Sequence, residues 1–273
     1  MKRLGFVGGG NMAEALARGL IEKKVATPNS IIISDVLAER RRKLARALKV
    51  DTTADNREVV RESQTVVLAV KPQTIEQVLR ELAAESPKRV SGKLFISIAA
   101  GVTLARITGA LGKRARVVRV MPNAAAMVGE GMAALVRSGG ATKADETFAL
   151  RIFNAVGDAV AVRDERLLDA VTALSGSGPA YVYLFIKALA DAAVNEGIPR
   201  EFAFRMALKT VRGAERVMRE SDRDAAELIR VVASPGGTTE AALRQFAEAG
   251  FSDIVARAVH AAADRSRELG RTS

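Results

Sequence analysis

The sequence predicts an α/β protein in two parts: a doubly wound, mostly parallel sheet over residues 1–164, then an all-helical region over residues 165–273. Four observations carry this. Short apolar runs alternate with helical stretches through the first part. These runs are continuous, not alternating, as expected of strands covered on both faces. A glycine-rich turn joins the first strand to the first helix, and after Asp164 the strand-like runs cease.

In order, Leu4–Gly8 reads as a strand and Asn11–Lys23 as a helix; Ile31–Ser34 is a strand and Leu37–Leu48 a helix. Thr65–Val70 is an apolar strand, followed by a helix from about Gln73; Leu94–Ala99 is another, with a helix after Gly101. Arg116–Met121, Met132–Val136 and Ala159–Val162 read as further strands. Strand–helix alternation of this kind implies a parallel sheet. Beyond it, Pro179–Glu196 is helical, with proline at its start and Gly197 past its end. Apolar residues run nearly all the way round it, so deep burial is expected. Helices follow at Arg200–Arg219, Asp222–Val232, Thr239–Glu248 and Ser252–Leu269.

Composition narrows the chemistry. Of 273 residues 48% are hydrophobic, enough for a substantial core. Cysteine is absent and His260 is the one histidine. Disulfides and thiolate metal sites are thereby excluded, a His-cluster site is ruled out, and no metal is expected. The net charge is +11, but its densest cluster, Arg40–Lys43 with Arg46 and Lys49 nearby, has no aromatic platform beside it. It reads as a solvated helix face, so no nucleic-acid partner is expected. The N-terminal apolar run flows directly into the glycine turn, unlike a signal peptide. No stretch approaches the roughly 18–20 apolar residues of a membrane span. The expectation is a soluble, cytoplasmic protein without a membrane partner.

Gly8-Gly9-Gly10-Asn11-Met12-Ala13 fits G-x-G-x-x-A between a strand and a helix, the context in which this motif signals a Rossmann-type dinucleotide site. Gly8 permits the turn, Gly10 lets the backbone approach a pyrophosphate, and Ala13 allows close helix packing. Ser34-Asp35 closes the second strand, where the adenosine ribose lies. Asp35 on the ribose hydroxyls favours NAD; Ser34 with an arginine from 40–42 on a 2′-phosphate favours NADP, and the sequence leaves both open. Ala69-Val70-Lys71-Pro72 and Ala99-Ala100-Gly101 close two further strands at carboxyl ends, where cofactors bind in open sheets. In the helical part, Ser175-Gly176-Ser177-Gly178-Pro179-Ala180-Tyr181 is a small-residue turn opening a helix. Ser234-Pro235-Gly236-Gly237-Thr238-Thr239 opens another. That second turn suits a carboxylate trap of unpaired amides flanked by hydroxyls. A plain N-cap at Thr238 or Thr239 is the competing reading.

These segments, together with Gly5–Ala13, Ala69–Gln73, Ser97–Thr103, Arg119-Val120-Met121-Pro122-Asn123 and Leu174–Tyr181, resemble the pyrroline-5-carboxylate reductase family over essentially the whole chain. The Ser-Pro-Gly-Gly-x-Thr element is the most specific of them. The resemblance implies hydride transfer from NADPH or NADH to the imine carbon of 1-pyrroline-5-carboxylate, giving L-proline in the last step of proline biosynthesis. It implies a cofactor lying across Gly8, Gly10, Asn11, Met12, Val70, Lys71, Ala99 and Ala100, with Ser34 and Asn56 near its adenosine half; the strand-end reading adds Ala69 and Pro72 to its course and Asp35 at the ribose. It implies that the substrate carboxylate sits on the amides around Gly237 and Thr238, with Ser234 also on the substrate side, that Thr239 and the ring nitrogen share a hydrogen bond as the catalytic contact, and that Glu165 lies near the substrate pocket. It also implies that the helical domain interlocks two chains into a dimer or larger assembly. One stretch departs from the family pattern: Glu227-Leu228-Ile229-Arg230-Val231-Val232 stands where a Leu-Lys-Asp element is usual. The rival enzyme reading is a hydroxyacid dehydrogenase, whose alkoxide needs a Lys or His partner; Lys187 is the candidate, against a reading in which it snorkels to solvent. A non-enzymatic nucleotide sensor is the other rival, and it would have no use for a carboxylate trap.

Overall fold

The computed structural model describes residues 4–84, 90, 92–113 and 115–272. Among them eight strands form one sheet: β1 (Leu4–Val7), β2 (Ile31–Ser34), β3 (Asp51–Thr53), β4 (Thr65–Leu68), β5 (Leu94–Ser97), β6 (Arg116–Pro122), β7 (Gly131–Arg137) and β8 (Gly157–Ala161). Their order is β3-β2-β1-β4-β5-β6-β7-β8, parallel throughout except for the antiparallel β6–β7 pair. The helices of this part are α1 (Asn11–Glu22), α2 (Ala38–Leu48), α3 (Asn56–Glu62), α4 (Pro72–Ala83), α5 (Leu104–Leu111), α6 (Lys143–Phe153) and α7 (Leu167–Val171).

Because side chains alternate across a strand, the central strands feed two cores. Phe6, Ile33, Val67 and Ile96 pack on one face with Leu16, Leu20 and Phe153. Val7, Ile32, Val66, Leu68 and Phe95 pack on the other with Ile75 and Leu79. That is why β1, β2, β4 and β5 are buried at every position and read as unbroken apolar runs. The chain leaves β1 towards β2 on one side and later returns to pair β4 on the other. The direction of winding reverses between β1 and β4, and in open α/β sheets ligands bind in the crevice outside such a switch point.

The structure corrects several expectations. β1, β4 and β5 end one or two residues earlier than the apolar runs do, because their last residues belong to the turns that line the crevice. β3 was not foreseen; it is three residues long, edge-placed and polar. Of Pro179–Glu196, the single chain buries only Ile186 and Ala190, which leaves the rest of its apolar perimeter for the expected partner chain.

Contacts divide the chain into two units, one of Met1–Ser177 with Ala262–Ser273, the other of Gly178–Ala261. The second holds α8 (Gly178–Asn195), α9 (Arg200–Glu220), α10 (Ala225–Val232), α11 (Thr238–Glu248) and the start of α12 (Phe251–Thr272). No strand follows β8 among the described residues. The core of the second unit is the α8–α9 hairpin, where Ile186, Ala190, Ala203 and Ala207 are buried. Large apolar side chains around it stay open: Tyr183 is 67% and Leu184 68% exposed, and Phe204, Met206, Val231 and Val232 are exposed as well. The α10 segment that departs from the family pattern is a helix capped by Asp224, which accepts from Glu227 N at 2.8 Å, and none of its residues is buried.

Candidate active site

The register of the sheet sets Val7 beside Ser34 and Leu68, and Leu68 beside Ser97. The turns that follow these four residues therefore share one edge. This brings together Gly8–Met12, Ser34–Asp35, Ala69–Pro72 and Ala99–Ala100. Gly8 N donates to Ser34 O at 3.0 Å and Ala69 N to Val7 O at 2.8 Å.

The glycines of the first turn serve different ends. Gly8 has φ +97°, and a Cβ there would lie 2.8 Å from Ala69 O, so the fold itself demands glycine. Gly10 has φ −64°, and a Cβ there would meet nothing within 4 Å. Nothing in the protein calls for glycine at 10. A side chain would fill the open space over the start of α1, which is the fit expected of a turn that a pyrophosphate must approach closely. Gly10 is also the N-cap of α1 and offers no capping side chain, whereas α3, α5 and α6 begin behind Asp55, Thr103 and Thr142, whose side chains do cap. The first-turn amides of α1 are left for a ligand or water.

Around the end of β2 the polar groups are committed. Asp35 Oδ2 accepts from Gly9 N at 3.0 Å and Oδ1 from Leu37 N at 2.9 Å. Ser34 is fully buried, and its hydroxyl donates to Asn56 Oδ1 at 2.7 Å. Asn56 Nδ2 in turn donates to Glu81 Oε2 at 3.0 Å, so Ser34 and Glu81 hold the Asn56 amide from both ends. Arg40 Nε donates to Gly9 O, and its Nη2 pairs with Glu14 at 2.7 Å. Burial pushes the Glu14 carboxyl up, but Arg18, Arg40 and Lys43 outweigh it and hold it below its ordinary value. Arg41 Nη1 donates to Asp35 O and Val36 O at 2.7 and 3.0 Å.

Glu165 lies in the first unit. Its Oε1 accepts from Arg119 Nη1 and from Leu104 N, each at 2.7 Å, tying β6 to the start of α5. Arg119 is buried, so this ion pair is a structural commitment for that oxygen. Two residues quoted above only as parts of motifs also meet here: Asn123 Nδ2 donates to Ser175 Oγ at 3.2 Å, while Asn123 Oδ1 accepts from Met132 N at 3.1 Å. Thr172–Gly176 forms a π-turn, a distortion frequent at functional sites. Sequence periodicity cannot register the Asn123–Ser175 bond, which joins the end of β6 to a segment some fifty residues away.

In the second unit Ser234–Thr239 folds as a tight turn: Gly237 N donates to Ser234 O at 2.9 Å, and Gly236 has φ +70°. The helix begins at Thr238, one residue before expectation, and its N-cap is Gly237, with no side-chain cap. Thr238 and Thr239 are thus inside the first turn, and neither is the cap. Glu240 reaches back to accept from Gly236 N at 2.6 Å, leaving the amides of Thr238 and Thr239 without a capping side chain. Lys187 is exposed and paired with Asp191 at 2.6 Å. No described helix is long and apolar enough to cross a membrane.

Residues 165–269 match the family model for pyrroline-5-carboxylate reductase dimerisation, and residues 3–101 one for coenzyme F420-dependent NADP oxidoreductases. The pyrroline-5-carboxylate reductase of Methanosarcina acetivorans is 44% identical, over 99% of this chain and 98% of its own. That of Synechocystis is 42% identical over 98% of both. Among solved structures, a Coxiella burnetii pyrroline-5-carboxylate reductase superposes with a TM-score of 0.90 at 36% identity, over 98% of both chains. A Plasmodium falciparum pyrroline carboxylate reductase with NADP bound gives 0.87 at 31%, also over 98% of both. On the strand-edge glycine turn, the uncapped Ser-Pro-Gly-Gly helix and this full-length likeness, the chain belongs to the pyrroline-5-carboxylate reductase family.

Proposed function

We propose that this chain reduces 1-pyrroline-5-carboxylate to L-proline with NADPH or NADH. The observation that carries the reading furthest is the start of α11: Gly237 caps it without a side chain, so the amides of Thr238 and Thr239 are available to an anion. A family member with such a helix end has a place for the carboxylate of a cyclic imino acid.

When bound, the reduced nicotinamide supplies a hydride to the imine carbon. Gly8, Gly10, Asn11, Met12, Val70, Lys71, Pro72, Ala69, Ala99 and Ala100 line its course along the strand ends, with Asn56 at the adenosine half, oriented by Ser34. The residues from Ser234 to Thr239 orient the ring: Gly237 and Thr238 hold the carboxylate, and the Thr239 hydroxyl meets the ring nitrogen. The nitrogen arrives protonated from solvent, so hydride addition yields the neutral ring amine directly and no strong protein acid is needed. A threonine hydroxyl is too weak an acid to supply that proton; its part is alignment. Glu165 acts at one remove, by fixing Arg119 and the start of α5. In this division residues 1–164 serve the cofactor, while residues 165–273 serve the substrate and self-association.

The test is oxidation of NADPH and NADH by purified protein with pyrroline-5-carboxylate, followed by product identification. Proline formation is expected; a folded protein that turns over a hydroxyacid and leaves this imine untouched would overturn the reading. The hydroxyacid alternative needs a lysine free to meet substrate, whereas Lys187 is paired with Asp191.

Self-association follows from the second unit. Burying apolar surface is worth about 25 cal/mol per Å², and α8 and α9 leave Tyr183, Leu184, Phe204 and Met206 open in the single chain. Light scattering at micromolar concentration is expected to give a dimer or larger species, and Leu184→Glu with Phe204→Glu should shift it to monomer. A stable, active wild-type monomer would contradict this.

A further inference from the structure

We propose that Arg41 selects the phosphorylated cofactor, so that the chain binds NADP(H) in preference to NAD(H), and that Asp35 braces the glycine turn instead of reading the ribose. This rests on the dinucleotide reading of the first unit.

An acidic residue at the end of β2 favours NAD when its carboxylate is free to bind the ribose hydroxyls. Asp35 is held otherwise. Its two oxygens accept from Gly9 N and Leu37 N, and a Cβ built on Gly9 would lie 3.2 Å from Oδ2. The carboxylate is pressed against the turn, and its charge is spread onto two backbone amides. Ser34 offers no donor either, since its hydroxyl is buried and spent on Asn56.

The arginines behind Asp35 differ in what balances them. Arg40 is paired with Glu14, and its side chain is only 16% exposed. Arg41 has no carboxylate partner among the described residues. Two carbonyls, Asp35 O and Val36 O, grip its Nη1. They lie just past the end of β2, where the 2′ substituent of the adenosine ribose falls in this fold. Gripped through one nitrogen, the guanidinium keeps its remaining N–H donors and a positive charge that no described carboxylate pairs. A ribose hydroxyl cannot neutralise that charge; a 2′-phosphate can, through the fork geometry that makes arginine a phosphate ligand. The carbonyl grip also fixes the side chain beforehand, so little of its freedom is lost on binding.

The test is calorimetric titration of the full-length protein with NADP⁺ and NAD⁺, repeated with 2′,5′-ADP and AMP to isolate the adenosine half. Wild type should bind NADP⁺ at least about 10-fold tighter than NAD⁺ in low salt, the gap narrowing as salt is added. Arg41→Met should weaken NADP⁺ and 2′,5′-ADP by roughly 10–100-fold, as expected for hydrogen bonds to a charged group. It should leave NAD⁺ and AMP within about 3-fold, and Arg41→Lys should recover part of the loss. Equal binding of both dinucleotides by wild type, an unchanged ratio in Arg41→Met, or a loss common to all four ligands would overturn the proposal. A wild type that binds no dinucleotide at all would overturn the nucleotide reading and this proposal with it.

Discussion

Gly10→Val is expected to leave the protein folded and to weaken dinucleotide binding by about 100-fold or more. The φ of −64° at Gly10 is open to any residue, and no atom lies within 4 Å of the added Cβ. Valine is a poor N-cap, so a loss of about 0.5–1 kcal/mol in stability is allowed for. A 100-fold loss of affinity corresponds to about 2.8 kcal/mol, the scale of a branched side chain occupying the space a pyrophosphate needs over the start of α1. Gly8→Ala provides the contrast. Its methyl group would meet Ala69 O at 2.8 Å on a backbone at φ +97°, so fold stability and binding should fall together. Thermal melting and calorimetric titration of both variants separate the cases. A Gly10→Val protein that melts normally and still binds NADP⁺ and NAD⁺ like wild type would remove the pyrophosphate from this turn.

Thr239→Val should lower kcat more than it raises KM, by roughly 10–100-fold if a hydrogen bond worth about 1.5–3 kcal/mol strengthens towards the transition state. Thr239→Ser keeps the hydroxyl and should lose much less. The competing view made this threonine a helix cap, whose removal would cost about 1 kcal/mol of stability and spare turnover. With Gly237 as the cap and Thr239 in the first turn, that cost has no source. The melting temperature of Thr239→Val should therefore stay near that of wild type. A destabilised Val variant with near-normal kcat would return the residue to a purely structural role.

The fold was legible because burial on both faces leaves a plain trace. Every position of β1, β2, β4 and β5 is enclosed, so each must be apolar or carry a satisfied polar group such as Ser34 or Ser97. β3 escaped notice for the converse reason: at the sheet edge Asp51-Thr52-Thr53 meets no core that would impose a pattern. The apolar perimeter of α8 predicts deep burial, and a single chain covers only its Ile186–Ala190 face. Periodicity reports that a surface avoids water; it carries no mark of whether the cover comes from the same chain or from another.

The two glycine turns were likewise legible, since unusual backbone and open helix ends require particular residues in a row. What each charged group does was not. Sequence left open whether Asp35 reads the ribose or Ser34 with one of the arginines 40–42 holds a 2′-phosphate. The folded chain commits Asp35 to Gly9 and Leu37, sinks Ser34 beneath Asn56, pairs Arg40 with Glu14 and leaves Arg41 gripped by carbonyls, with no acidic partner among the described residues. It likewise joins Glu165 to Arg119 across 46 positions. The sequence by itself determined the doubly wound sheet, the helical second part and both anion-ready helix ends, because those follow from local backbone requirements and from the alternation of apolar runs. The tertiary structure decided which polar side chains remain unspent, because a hydrogen bond or ion pair depends on distances between segments far apart in the chain, and no local pattern encodes them.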